Sequence, residues 1–373
     1  MRRLLPLLCG LLLAACGQRA ARPIGDFTLP VYTPRYASGF EITGAAGSRS
    51  TLVTVHNPWY GDEVTDQYLF IARDGEPAPA GFEGQVLRDE ARRVVCMSGS
   101  YIAMLDALGA ADRVVGVSGA QYLINETLRR RIARGEAADV GFDSNVDFER
   151  LMALRPDLVM LFGIGGADTA LTGKLRELGI PYLYMGEHCE ESPLGKSEWV
   201  VVAAEIAGLR TEGSRLFAAI PERYERLRAL AQQTAARPRV MLNTPYRDTW
   251  FMPARNSYMV RLLEDAGARY VFEENTATQT LPIDIEQAYY LTSKSDFWLN
   301  VSGCNTLDEV RRQNPRLADT PPVREGRVYD NNRRRNAAGG SDFWESGVLR
   351  PDRVLADLVH IFHPELSETD ELY

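Results

Sequence analysis

A chain of 373 residues, 45% hydrophobic and 25% charged, can bury a sizeable core and has room for two domains, which excludes a disordered tail. Its formal net charge of -8 excludes a surface built to neutralise nucleic-acid phosphates, a task for clustered Lys and Arg. Five cysteines and four histidines exclude a dense disulfide framework and a His-rich metal cage, so any metal is expected to arrive already chelated, with no cofactor of the protein's own.

Arg2 and Arg3 precede the apolar run Leu4 to Ala15, which is shorter than the roughly 20 residues a membrane span needs and predicts a secretion signal over residues 1–15. The run ends in Leu13-Ala14-Ala15-Cys16-Gly17. This resembles a bacterial lipobox, which implies a lipid on Cys16 and a cell-envelope location. Residues 16–35, rich in Pro, Ala and Arg, predict a tether. Cys96, Cys189 and Cys304 predict small buried hydrophobes rather than nucleophiles.

Phe40 to Thr43, Thr51 to His56 and Tyr68 to Ala72, separated by turn signals, predict a small antiparallel preface. Arg93 to Met97 predicts a strand breaking at Ser98-Gly99-Ser100 into a helix, followed by a strand at Arg113 to Val117. A helix around Phe148, Leu151 and Leu154 stops at Pro156. Asp157 then opens the strand Leu158 to Phe162, which ends in Gly163-Ile164-Gly165-Gly166. Leu171, Leu175 and Leu178 mark a helix closing at Gly179, before the strand Tyr182 to Met185. Short apolar strands alternating with helices predict a parallel sheet, here an α/β lobe over residues 36–196.

Residues 197–236 carry Ala, Leu, Glu and Arg at helical spacing and predict one or two helices, interrupted by Gly208 and Gly213 and kinked at Pro221, a stiff strut to a second α/β lobe over 237–373. That lobe echoes the first. Val146-Asp147-Phe148-Glu149 before Asp157-Leu158-Val159 has a counterpart in Ile283-Asp284-Ile285-Glu286 before Asp296-Phe297-Trp298. Met104 to Ala110 is matched in the same way by Leu262 to Ala268.

A lipobox, two α/β lobes and a long connecting helix resemble the substrate-binding lipoproteins of ABC importers for iron-siderophore, haem and cobalamin. The details that carry the resemblance are Arg93-Val94-Val95 entering a Ser/Gly turn, Leu151 to Val159 around Pro156-Asp157, Leu175 to Pro181, Pro193 to Trp199, and the tail from Asp342-Phe343-Trp344-Glu345 to Leu366. Together they span residues 90 to 366. The resemblance implies two three-layer lobes with mainly parallel sheets joined by a long rigid helix, no enzyme activity, a monomer, and delivery of a metal chelate to a permease and its ATPase.

Ligands of open α/β sheets settle outside the carboxyl ends of the strands. The cleft is therefore expected to be lined by loops carrying Ser98, Tyr101, Tyr122 and Gly165 in the first lobe, and Tyr246, Arg247, Trp250, Arg333, Arg334 and Trp344 in the second. Aromatic faces suit flat ligands, and guanidinium groups pair with the carboxylates or phosphate of haem, ferric chelates or corrinoids. The family docks on its permease through an acid on each lobe. Asp168 and Glu198 are the substitutes this sequence offers, since no acid occupies Ala254 to Ser257.

The alternative is a secreted, lipid-anchored α/β hydrolase or glycan-processing enzyme. It lacks support: Gly116-Val117-Ser118-Gly119-Ala120 places glycine one position early for a nucleophile elbow. His360 and His363 have no third ligand nearby in sequence, and His188 with Glu187, Cys189 and Glu190 is the only tempting metal cluster.

Overall fold

The computed structural model describes residues 21–60, 64–163, 166, 169–247, 249–301, 303–366 and 373. The predicted signal segment, Cys16, Gly165 and Asp168 lie outside the described residues.

The preface is a five-stranded sheet in chain order: β1 (Leu29–Tyr32), β2 (Phe40–Gly44), β3 (Thr51–His56), β4 (Asp66–Ala72) and β5 (Gln85–Arg88). Its pairs are antiparallel except the last, since β5 returns parallel to β4. Strands β3 and β4 alternate between two cores. Val53, Val55, Leu69 and Ile71 enter the main core, while Leu52 and Phe70 meet Phe27 on the outer face. Both faces are covered, so the sequence shows an almost continuous apolar run.

The first parallel sheet runs in the order β12-β11-β6-β7-β8, built from β6 (Val94–Cys96), β7 (Val114–Val117), β8 (Ala138–Asp139), β11 (Leu158–Phe162) and β12 (Tyr182–Met185). A two-stranded hairpin, β9 (Gly141–Phe142) and β10 (Asn145–Val146), follows β8. Helices α1 (Gly99–Ala107), α2 (Glu126–Ala133), α3 (Phe148–Ala153) and α4 (Ala170–Leu178) make the crossovers.

The first lobe ends in α5 (Pro193–Glu198), which leads into a connector of α6 (Val200–Ile206) and α7 (Arg210–Ala231). Gly208, at φ +66°, ends the first part. Gly213 does not interrupt α7; a Cβ there would meet Ala204 Cβ at 2.3 Å, so the glycine lets α7 press against α6. The 22-residue α7 continues through Pro221, about 33 Å of helix. Every residue of α6 is buried, as expected of a helix apolar on all sides.

The second parallel sheet has the order β16-β13-β18-β19, with β13 (Arg239–Leu242), β16 (Arg269–Tyr270), β18 (Phe297–Leu299) and β19 (Val328–Tyr329). Beside it, β14 (Pro245–Tyr246), β15 (Thr249–Met252) and β17 (Leu281–Ile283) form an antiparallel ribbon. The helices are α8 (Tyr258–Asp265), α9 (Ile285–Ser293), α10 (Leu307–Gln313) and α11 (Pro321–Arg324), then α12 (Ser346–Leu349) and α13 (Pro351–Phe362) in the tail. The fold is thus α/β in two lobes with mainly parallel sheets.

The sequence echoes are repeated hydrogen-bond patterns. Asp147 caps α3 by accepting from Arg150 N–H, and Asp284 caps α9 by accepting from Gln287 N–H. Asp157 accepts from the N–H groups of Arg92 and Arg93, and Asp296 from that of Arg239, each aligning neighbouring strands. Gly109 and Gly267, at φ +73° and +79°, close α1 and α8, after which Ala110 and Ala268 donate to Leu105 and Leu263.

The tail packs back on the first lobe. Asn336 Nδ2 donates to the carbonyls of Gln121 (2.9 Å) and Leu123 (3.2 Å). Glu345 accepts from Ile124 N–H (2.6 Å) and Asn125 N–H (2.9 Å), and Ser197 Oγ donates to Leu349 O (2.7 Å).

Candidate functional site

A cleft of about 940 Å³ opens between the lobes. Three of its walls begin where strands of the second sheet end. Asn243 follows β13, Asn300 follows β18, and Asp330 and Asn331 follow β19. Asn243 and Asn300 turn the chain at φ +68° and +61°, a conformation asparagine tolerates, and so sit at the carboxyl edge of the sheet. Asn243 is fixed there: its Nδ2 donates to Phe251 O (2.9 Å) and its carbonyl accepts from Trp298 Nε1 (2.7 Å). Phe251 and Tyr258 add apolar surface, and Ser257, Asn256 and Gln279 add hydrogen-bonding groups.

The first lobe contributes the turn after β12 and the helix after it. His188 lies against Phe162 with ring centroids 4.3 Å apart, and its Nε2 is 2.8 Å from Gly163 O. Burial pushes its pKa down to about 4, so the ring is neutral, Nε2 carries the proton and Nδ1 has no partner among the described residues. Tyr60 OH donates to His188 O (2.7 Å); its own pKa is pushed up to about 12, chiefly by burial. Beneath the turn, Glu187 is enclosed and accepts from Ser100 Oγ (2.9 Å), and desolvation raises its pKa to about 7. Lys196 of α5 reaches the cleft with its ammonium over the Tyr258 ring, 4.6 Å from the centroid.

The expected site residues scatter. Trp344 is 54% exposed and lines the cleft, braced edge-on by Phe343 at 4.7 Å. Ser98 is the N-cap of α1, accepting from Ser100 N–H and paired with Ser100 Oγ at 2.9 Å, which places it behind Glu187. Tyr101 is fully buried with its hydroxyl on Leu161 O (3.2 Å). Tyr122 is at the crossing of the tail, tilted against Phe142. Tyr246, 66% exposed, and Arg247, stacked over its ring at 5.4 Å, form the tip of the β14–β15 hairpin outside the cleft lining.

Three expectations are corrected by packing. Trp250 is 1% exposed, donates from Nε1 to Leu242 O (2.9 Å) and lies against Trp298, so it offers no face to a ligand; its neighbour Phe251 faces the cleft instead. The arginine triplet does not line the cleft: Arg334 pairs with Asp342 (3.2 Å) and covers the Tyr373 ring, and Arg333 is exposed. Glu198 is fully enclosed. Its carboxylate accepts from Tyr32 OH and from the N–H groups of Arg35, Tyr36 and Ala37, all at 2.7–2.8 Å, so it holds the entry segment and cannot be a surface docking acid.

The His188 neighbourhood also resolves into separate roles. Glu187 serves Ser100, while Glu190 accepts from Ser38 and Gly39 N–H and from Trp199 Nε1. Among the described residues no group of three or more His, Cys, Asp or Glu is arranged to hold a metal ion. The residues that sequence reasoning missed, Phe251, Tyr258, Asn300 and Lys196, carried faint signals: an aromatic one step out of register, and an asparagine directly after an apolar strand.

Comparison with known proteins bears on this arrangement. The sequence profile described as periplasmic binding protein matches residues 94–333. The chain belongs to the periplasmic binding protein family. An uncharacterized lipoprotein of Methanocaldococcus jannaschii is 25% identical over 332 residues, 83% of this chain and 77% of that one. Among solved structures, the periplasmic haem-binding protein RhuT from Roseiflexus sp. RS-1, in apo form, superposes with a TM-score of 0.58 at 21% identity, covering 74% of this chain and 98% of RhuT. The vitamin B12 binding protein BtuF of Vibrio cholerae gives 0.53 at 14%, covering 73% and 96%. These two similarities show the fold. This periplasmic binding protein sets its cleft between two α/β lobes, and among its described residues no helix is long and apolar enough to cross a membrane.

Proposed function

We propose that this periplasmic binding protein captures a chelated metal compound, a ferric siderophore, haem or a corrinoid, between its lobes and delivers it to the permease and ATPase of an ABC importer. It acts as a monomer, held at the envelope by lipid on Cys16. The observation that carries the proposal is the cleft of about 940 Å³ at the carboxyl ends of the second sheet's strands, at the upper end of the roughly 300–1,000 Å³ of small-molecule sites. Its Tyr60, Phe251, Tyr258 and Trp344 rings offer flat apolar contact, and its asparagine and threonine groups suit a ligand with a polar rim. The names of the haem- and vitamin B12-binding relatives support the same ligand class.

Titration of the protein with haemin, cyanocobalamin and ferrichrome, followed by tryptophan emission, tests it. Of the five tryptophans Trp344 lines the cleft and Trp59 adjoins the lining Tyr60, so binding is expected to quench emission, and the quenching to shrink in part in Trp344→Phe. No response and no calorimetric binding with any of the three compounds would remove the ligand assignment.

A further inference from the structure

The protein has only three lysines in a set of 42 Lys and Arg. Lys174 pairs with Glu177 and Lys294 lies on Tyr290, both at the surface. Lys196 is the exception, 8% exposed and yet part of the cleft wall. It is the only Lys or Arg among the described residues of that wall. The Tyr258 ring lies beneath its ammonium from the opposite lobe, and no described carboxylate or carbonyl accepts a hydrogen bond from it.

The nearby acids attract the ammonium without bonding to it. Glu190 accepts from Ser38, Gly39 and Trp199, and Glu187 accepts from Ser100 while its Oε2 has no hydrogen-bond partner among the described residues and acts on Lys196 only through its charge. The stem is buried while the ammonium opens onto the cleft, where its donors can meet a ligand. Desolvation lowers its pKa. An anionic oxygen brought by a ligand would fill those donors in a water-poor setting, where a charge-assisted hydrogen bond is strong. A lysine suits the task better than the arginines used elsewhere, because a compact point charge fits where a planar fork would not.

We propose that Lys196 is the anion anchor of the cleft, donating to one carboxylate or phosphate oxygen of the captured compound. This rests on the assignment of the cleft as the ligand site. Because a single cation is available, one anionic oxygen is recognised, and the ligand's remaining periphery meets amides and hydroxyls. Tyr258, which steadies the ammonium, makes the anchor a joint product of both lobes.

The test uses full-length protein carrying 13C-labelled lysine, whose three side-chain signals are assigned with Lys196→Met. Citrate and inorganic phosphate are each titrated in, followed by two matched pairs of chelates: haemin with its dimethyl ester, and cyanocobalamin with dicyanocobinamide, which lacks the phosphodiester. The Lys196 signal is expected to move and those of Lys174 and Lys294 to stay. A chelate that binds should lose about tenfold to hundredfold affinity both in Lys196→Met and in its uncharged partner, without further loss when the two are combined. The pair that shows this pattern tells carboxylate from phosphate. Lys196→Gln serves as a second variant, and a cooperative thermal transition in the unliganded form of each checks that both variants are folded before affinities are compared. A Lys196 signal that no anion or bound chelate moves, or wild-type affinity in both variants, overturns the proposal. If citrate moves Lys196 but no chelate binds, the anchor stands and the chelate assignment falls.

Discussion

The carboxylate of Glu198 accepts four hydrogen bonds inside the protein, three of them from consecutive backbone N–H groups of the entry segment. Glu198→Gln replaces one oxygen by an NH₂ that faces donors. It is expected to cost roughly 2–4 kcal/mol, read as a lower urea midpoint; an unchanged midpoint would mean that the carboxylate is not the anchor described. The sequence alone suggests a surface position for this acid, because a short polar helix shows no sign of which face will be covered. The same limit explains Trp250. The β15 strand alternates, with Trp250 and Met252 inward and Phe251 outward, and a one-residue change of register decides which aromatic meets the cleft. Residue type alone named the correct loop and the wrong ring.

Elements bounded by local chemistry were legible. Asp147, Asp284, Asp157 and Asp296 fix helix and strand starts through hydrogen bonds a few residues or one strand away, and Gly109 and Gly267 fix helix ends, so the two-lobe echo could be read before any tertiary contact was known. Strands β1 and β5 were not, because each has four residues and owes its existence to a partner strand. The return of the tail was equally hidden. Its clasp on the first lobe is Glu345, whose backbone and carboxylate are set by long-range contacts with Ile124 and Asn125. Glu345→Ala leaves both N–H groups without their acceptor, and faster amide exchange at residues 124 and 125 is expected, equivalent to about 1–3 kcal/mol of local stability. Unchanged exchange there would show that the tail is not held by this contact.

For the molecule as a whole, burial sets a pH dependence whose sign can be worked out. Glu187, Glu345 and Asp357 are each raised to about 7, chiefly by desolvation, whereas unfolded carboxyls titrate near 4. Between those values the folded state binds more protons than the unfolded state, so stability is lost as pH rises toward and through 7. His188, lowered to about 4, works in the opposite direction, an effect that fades as pH rises through the usual histidine pKa of about 6.5. From pH 6.5 to 8 the three carboxyls outweigh the half proton or less that the unfolded histidine still holds, and the urea midpoint is expected to fall; a rise would contradict the buried positions assigned to them. The fold class was within reach of the sequence because alternation and capping are local, while the cleft was only partly so, since its walls come from segments as far apart as residues 60 and 344. The most direct measurement of the central claim is amide hydrogen exchange with and without a saturating chelate from the haemin, cyanocobalamin and ferrichrome set. The account predicts protection concentrated at residues 188–196, 251–259 and 278–280, on both sides of the cleft; protection confined to one lobe, or centred away from these segments, would contradict it.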